Sequence, residues 1–354
     1  MDLTTALRQI APPDEGAMRA ARDHWNGIAK PIGSLGLLED AVVQIAGLTG
    51  DPRVKLDKRA VLVMCADNGV VAEGVTQTGQ EVTALVAGNM TRQDSSVCRM
   101  AQVARAEVIP VDMGMIAPAA GVRDCHIRRG TGNIARGPAM TREEAARAVT
   151  AGIDLVGELK AQGCRIVATG EMGIGNTTTS SAMLAAFLGC APAEVTGRGA
   201  GLSDEGLKRK VAAIERALAV NRPDPADGLD VLSKVGGLDL AGICGTFLGG
   251  AIHRVPVLID GFISAVAALA ALRIAPESRC AMLAAHVSAE PAARTVLDVL
   301  GVKPLITAGM RLGEGTGAVA ALPLLDMALA VYDGMVTFEN IGMEAYDAGF
   351  VQNA

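Results

Sequence analysis

Apolar positions along this chain follow two alternating patterns. Short, nearly continuous runs rich in Val, Ile, Leu and Ala occur at 59–67 (RAVLVMCAD), 106–114 (AEVIPVDMG), 164–171 (CRIVATGE), 255–261 (VPVLIDG) and 280–288 (CAMLAAHVS), with a weaker one at 303–309 (KPLITAG). Longer stretches of helical period lie between them. Runs with no polar alternation suit strands covered on both faces. The pattern therefore predicts an α/β fold, a doubly wound, mainly parallel sheet with helices on both faces. Thr141 and Glu144 have the spacing of a capping box ahead of one helix, and Ser203 is placed to cap another. Two helices are predicted before the first strand, at 18–30 and 34–50, and one after Gly315, at 316–335, where Pro323 is expected to introduce a kink. These terminal helices are expected to pack together as a small helical domain made from both chain termini. The division is then an α/β domain at 58–322 and a helical domain at 1–57 with 323–354.

Ligands of doubly wound sheets bind beyond the carboxyl ends of the strands. The residues closing the predicted strands are Asp67, Asp112, Glu171, Asp260 and Ser288, with Glu314 after the last. This collects polar groups on one rim, although for Asp112 an ordinary loop role is the stronger reading.

One rim segment, TGEMGIGNTTTSS (169–181), resembles a phosphate-cradling loop but carries Glu171 where an anion would dock. Its glycine order, G-x-x-G-x-G with no following lysine, is neither the dinucleotide fingerprint nor a Walker loop. A helix starting near Thr177 and Thr178 would still offer free backbone N–H groups to one phosphate, and a plain turn with a cap is the competing reading. TGRGAGLSDEGLKRK (196–210) adds a glycine turn, a helix start, and Lys208 and Lys210, lysines that would otherwise be merely solvated. HVSAEPAAR (286–294) adds Ser288, expected at the start of a further helix, and His286, whose ordinary role would be a satisfied buried imidazole. In MRLGEGTGAVAALP (310–323), Glu314 stands between two glycines at a helix start. Apolar surroundings would raise its pKa and make it a better proton acceptor, the helix start would lower it, and a capping carboxylate is the rival role.

Composition removes several function classes. Half of the 354 residues are apolar, enough for a sizeable core, and the 42 glycines beside only 2% aromatic residues suggest close-packed aliphatic layers with many tight turns. A net charge of −6 with scattered Lys and Arg argues against a nucleic-acid partner. The seven cysteines show no C-x-x-C and no metal spacing, so a reducing cytoplasm and no metal are expected. The N-terminus lacks a basic start with an apolar run behind it, so no signal peptide is expected. The most apolar windows are broken by glycine or by Asp260-Gly261 and read as buried strand and helix, with no membrane span.

Seven collinear segments carry a family resemblance: KPIGSLG (30–36), GEMGIGNTTTSSAML (170–184), TGRGAGL (196–202), DVLSKVGGLDLAGICG (230–245), VLIDGFIS (257–264), HVSAEPA (286–292) and RLGEGTGA (311–318). From about residue 25 to about 335 the chain resembles the nicotinate-nucleotide-dimethylbenzimidazole phosphoribosyltransferase family, which builds the lower-ligand nucleotide of cobalamin. The resemblance implies a pentosyltransferase that moves the phosphoribosyl group of nicotinate mononucleotide to 5,6-dimethylbenzimidazole, releasing nicotinate and giving α-ribazole 5′-phosphate with inversion. It also implies a cytoplasmic homodimer with no cofactor. By the same resemblance Glu314 is the general base, and Glu171 faces the ribose or the cationic charge that grows as nicotinate leaves. Gly173, Asn176, Thr177, Gly199, Lys210 and Ser288 hold phosphate and ribose, and Gln80, Met172, Ile174 and Leu312 adjoin the base. Two positions depart from the family pattern: Asn68 stands where His is usual, and Thr78-Gly79 replaces an aromatic-proline pair. These changes leave the acceptor open between dimethylbenzimidazole, another benzimidazole, a purine and a phenol. Two other readings remain. A noncatalytic binder of an aromatic base or nucleotide is opposed by retention of both glutamates, and a nicotinamide-dinucleotide oxidoreductase is opposed by the missing fingerprint.

Overall fold

The computed structural model describes residues 3–346. Five of the predicted runs form strands: β1 (Arg59–Ala66), β2 (Glu107–Gly114), β4 (Ile166–Met172), β5 (Val257–Ile259) and β6 (Met282–Ala284). A two-residue edge strand, β3 (Arg123–Asp124), has no counterpart among the predicted runs. The sheet has the order β3-β2-β1-β4-β5-β6, and every adjacent pair is parallel. The run at 303–309 does not become a strand. It makes one bridge, Ile306 to His286, because Pro304 and Gly309 confine it.

Strand alternation sorts the core into two layers. Leu62, Met64, Val111, Met113 and Val167 face a cluster completed by helices Arg142–Ala161, Asn176–Leu188, Leu238–His253 and Phe262–Ile274. Val61, Val63, Cys65, Ile166 and Ala168 face the opposite cluster, completed by helices Glu15–Gly27, Leu37–Thr49, Ser96–Ala104 and Thr316–Gly334. Each fully buried aliphatic side chain of this kind contributes roughly 1.5–3 kcal/mol. Glycine permits the tightest crossing: a Cβ on Gly152 would stand 2.9 Å from Gly245 Cα of the facing helix. A larger residue there would push the two helices apart.

Helices from the two ends of the chain meet. Trp25 and His24 pack edge-on against Tyr332, and Ala29 and Phe338 exchange backbone hydrogen bonds with Val336 and Gly27. Their apolar side chains join the layer beneath β1 and β4. Helix Thr316–Gly334 runs on through Pro323 and is long and apolar enough to cross a membrane, but it packs against β4, Leu37–Thr49 and Ser96–Ala104 as a core element.

The switch point of the sheet lies between β1 and β4, where the chain leaves the central strands toward opposite edges. Its carboxyl end carries the site.

Candidate active site

A cavity of about 330 Å³ opens beyond β4, β5 and β6. Glu171, Met172, Gly173, Ile174, Asn176 and Thr177 line it from the β4 turn. Gly199 comes from the 196–202 loop, Asp260 from the end of β5, Ser288 from beyond β6, and Leu312 and Glu314 from the last turn. The two glutamates, distant in sequence, thus face one cavity. Gly170 makes the approach possible, since a Cβ there would stand 2.6 Å from Glu314 O.

Local sequence explains the turn at 313–316. Gly313, Glu314 and Gly315 all have positive φ, at 87°, 60° and 90°. Two glycines accept this without penalty, but Glu314 sits in the left-handed region at a cost of roughly 1 kcal/mol or more. The carboxylate does not cap its own helix. Asp260 does so instead, accepting from Gly315 N at 3.3 Å and Ala318 N at 2.9 Å. That frees the half-buried Glu314, whose carboxylate accepts from Val97 N at 3.5 Å. Burial raises its pKa above the usual carboxylate range, the Val97 amide works against this, and Asp260 adds to the rise. The capping role weighed for Glu314 is therefore taken by Asp260.

Glu171 is nearly enclosed. Burial pushes its pKa to about 8, reinforced by Asp239 and Asp260 and opposed by the Asn176 side chain and the Glu314 backbone amide. Asn176 donates to Glu171 Oε2 through Nδ2, and the same nitrogen lies 3.0 Å from Asp239 Oδ2. The Asn176 side chain is thus committed to two carboxyls, and its backbone N–H donates to Gly173 O at 3.0 Å.

Thr177, Gly199 and Lys210 converge at the opening of helix Asn176–Leu188, which no side chain of its cap residue Gly175 closes. Lys210 is only 1% exposed and stands behind the cavity wall. Its Nζ donates to Thr177 Oγ1 at 2.9 Å and Gly197 O at 3.0 Å, leaving one of three ammonium hydrogens for a ligand. Burial lowers its pKa to about 8, with Glu290 acting in the opposite direction.

Several expectations need correction. Ser288 lines the cavity but does not begin a helix, because the residue before Pro291 is excluded from helical dihedrals and the helix starts only at Ala293. Its Oγ accepts instead from Glu290 N at 3.3 Å. Asp67 and Asp112 stand outside the cavity and fasten the loops after β1 and β2, accepting from Ile116 N and Met115 N, each at 2.7 Å. Gln80 also lies outside the wall, donating to Asn68 O at 3.1 Å. His286 lines the cavity 3.8 Å from Asp260. Sequence reasoning missed Asp239, Arg198 and Arg311. Arg311 lines the cavity with no partner among the described residues, and Arg198 is held by Asp204 and by Leu202 O. Asp239 had one available signal, a carboxylate between Leu238 and Leu240 at the head of an otherwise apolar helix. No group of three or more His, Cys, Asp or Glu side chains is placed to hold a metal among the described residues.

A family model described as phosphoribosyltransferase matches residues 10–343. The chain is 44% identical to the nicotinate-nucleotide–dimethylbenzimidazole phosphoribosyltransferase of Acetivibrio thermocellus, over 97% of its own length and 99% of that protein's. It is 46% identical to the enzyme of the same name from Desulforudis audaxviator, over 96% and 98%. Among solved structures, CobT from Thermus thermophilus superposes with a TM-score of 0.88 at 40% identity, covering 94% of this chain and 100% of that one. The chain belongs to this phosphoribosyltransferase family.

Proposed function

We propose that this family member transfers the phosphoribosyl group of nicotinate mononucleotide to 5,6-dimethylbenzimidazole or a closely related base, forming α-ribazole 5′-phosphate in the assembly of the cobalamin nucleotide loop. The observation that carries the reading is the meeting of Glu171 and Glu314 on one cavity beside an uncapped helix start backed by a buried lysine. The donor's phosphate occupies that helix start, held by backbone amides around Gly173, Asn176 and Thr177, by Gly199 and Ser288, and by the remaining hydrogen of Lys210. Positive charge at a helix N-terminus and a desolvated ammonium both favour a dianion.

Met172, Ile174 and Leu312 supply the apolar wall for the acceptor, and Gln80 supports it from behind by holding Asn68 O. Glu314 takes the N–H proton of the bound azole as its other nitrogen attacks C1 of the ribose. The bond from C1 to the nicotinate nitrogen breaks, and its electron pair neutralises the pyridinium. The two heterocycles occupy opposite faces of C1, so configuration inverts. Glu171 lies beside the pentose. The pyridinium of the donor draws its carboxyl toward the ionised form, and the charge then steadies C1 as positive character moves onto it. Holding both reactants in line contributes on the order of 7 kcal/mol or more to lowering the barrier.

The mature enzyme in this reading is a cytoplasmic homodimer, divided into an α/β domain at 58–322 and a helical domain from the two ends. The direct test is to mix the protein with nicotinate mononucleotide and dimethylbenzimidazole and follow nicotinate release with the new glycoside. The wild type is expected to form the α-linked product. Glu314→Gln is expected to bind both substrates while turnover falls about 10²-fold or more, as loss of a general base requires. No nicotinate release with any azole, purine or phenol would support a binding protein on the same scaffold instead.

A further inference from the structure

A second carboxylate lies behind Glu171 and never reaches the cavity. Asp239 occupies the first turn of helix Leu238–His253 and is fully buried. Its Oδ1 accepts from Leu240 N at 3.0 Å and its Oδ2 from Asn176 Nδ2 at 3.0 Å, while Asn176 Nδ2 also donates to Glu171 Oε2. One side-chain amide carries two N–H hydrogens, so the pair of carboxyls uses both. The backbone is shaped to admit this bridge. A Cβ on Gly173 would overlap Asp239 Oδ2, stand 2.7 Å from Ala66 O and lie 3.2 Å from Asn176 Nδ2.

We infer that Asp239 is a positioning residue for phosphoribosyl transfer: by holding one N–H of Asn176 it presents the amide donor-first to Glu171 and fixes that carboxyl against the ribose site. The inference rests on the role of Glu171 given above.

Two physical facts support it. Rotating the amide of Asn176 by half a turn would aim its carbonyl oxygen at two carboxyls, and an ionised Asp239 makes that arrangement strongly unfavourable. Burial raises the pKa of Asp239 to about 6 against its hydrogen bonds and that of Glu171 to about 8, so of the two carboxyls Asp239 is the one that ionises first. The groups that face Glu171 are Asp239 from its helix, Asp260 from the end of β5 with His286 beyond it, Cys65 from β1, and the backbone amide of Glu314. No lysine or arginine is among them. The pyridinium of the donor favours ionisation of Glu171, and Asn176, held in register by Asp239, then stabilises the new carboxylate.

Asp239→Asn, Asn176→Ala and the double variant test this, once circular dichroism shows them folded. Asp239→Asn is expected to lower kcat about tenfold or more with KM for nicotinate mononucleotide little changed, the pattern of a misplaced group at the reacting centre. Asn176→Ala is expected to lose at least as much, and adding Asp239→Asn to it nothing further. An independent readout needs no turnover. Infrared titration of the ligand-free protein, with Glu171 identified by the band lost in Glu171→Gln, should show its carboxyl titrating at higher pH in Asp239→Asn than in the wild type, because the loss of the Asn176 hydrogen bond outweighs the loss of repulsion from Asp239. Wild-type kcat in Asp239→Asn, a Glu171 titration that stays or moves to lower pH there, or losses that multiply in the double variant would overturn the inference. If Asp239→Asn does not fold, Asn176→Ser decides: it gives up one of the two hydrogens, so the Glu171 titration must move and kcat must fall, and the absence of either change refutes the bridge. A wild-type protein without transferase activity would sink the functional reading while leaving the infrared test of the bridge intact.

Discussion

Two helices on this rim open with nearly the same turn. Gly175, with φ of 96°, precedes Asn176–Leu188, and Gly315, with φ of 90°, precedes Thr316–Gly334. Each turn carries a glutamate close by, and neither glycine can cap with a side chain. What fills the two helix starts differs. At the second, Asp260 reaches across from β5 and accepts the free amides, so the protein supplies its own anion. At the first, Glu171 is turned aside onto Asn176, and the start is left open to the cavity with Lys210 behind it. A glycine turn before a helix is therefore not in itself a phosphate site. The distinction is made by carboxylates that lie far away in sequence.

Changing each turn separately sharpens this contrast. The largest effect on stability is expected from Glu171, beside the loss of turnover that its place at C1 entails. Its pKa is near 8 in the folded protein against 4.5 for the free side chain, so the folded state holds a proton that the unfolded chain has released. Stability is complete below about pH 4.5 and is lost as pH rises through 8. Asp239 adds a loss of the same sign between 3.8 and about 6. Glu171→Gln should remove its share, on the order of a few kcal/mol, so the variant gains on the wild type between pH 5 and pH 8 in thermal melts of the ligand-free protein. A constant difference across that range would contradict the burial argument.

Next is Lys210. Lys210→Met should raise KM for nicotinate mononucleotide about tenfold or more, the value of a charge-assisted hydrogen bond, and leave KM for the base unchanged. In the wild type, donor affinity should also weaken as pH rises through about 8, where the buried ammonium loses its proton. An equal rise in both KM values would move the phosphate elsewhere.

The smallest change in stability belongs to the second turn. Glu314→Gly relieves a non-glycine residue at φ of 60°, and should stabilise the fold by about 1 kcal/mol while turnover collapses. Urea unfolding of the variant beside the wild type measures the gain. A loss of stability would mean that the side chain holds the turn.

Much of this is legible in the sequence. Five strands announce themselves as unbroken aliphatic runs, and the parallel sheet follows because such runs need cover on both faces. Glu314 is legible because glycine on either side marks a backbone in unusual dihedrals. The two-residue edge strand Arg123–Asp124 has too little sequence to carry a pattern. The helix expected at Ser288 fails on Pro291, a stop signal present in the sequence and outweighed by the resemblance to a helix start. Asp239 is illegible for a different reason: its meaning lies in Asn176, 63 residues away, and no local rule connects a carboxylate at the head of one helix with an amide at the head of another. Asn176 itself reads in the sequence as a ligand for phosphate or ribose, whereas its side chain serves a neighbouring carboxyl.

The contrast between the two turns is tested most directly by a crystal structure of Glu314→Gln with nicotinate mononucleotide bound. The phosphate should lie on the amides at the start of Asn176–Leu188, within hydrogen-bond reach of Lys210, with C1 of the ribose between Glu171 and residue 314. A phosphate that displaces Asp260 from the start of Thr316–Gly334, or a ribose that touches neither carboxyl position, would contradict the account.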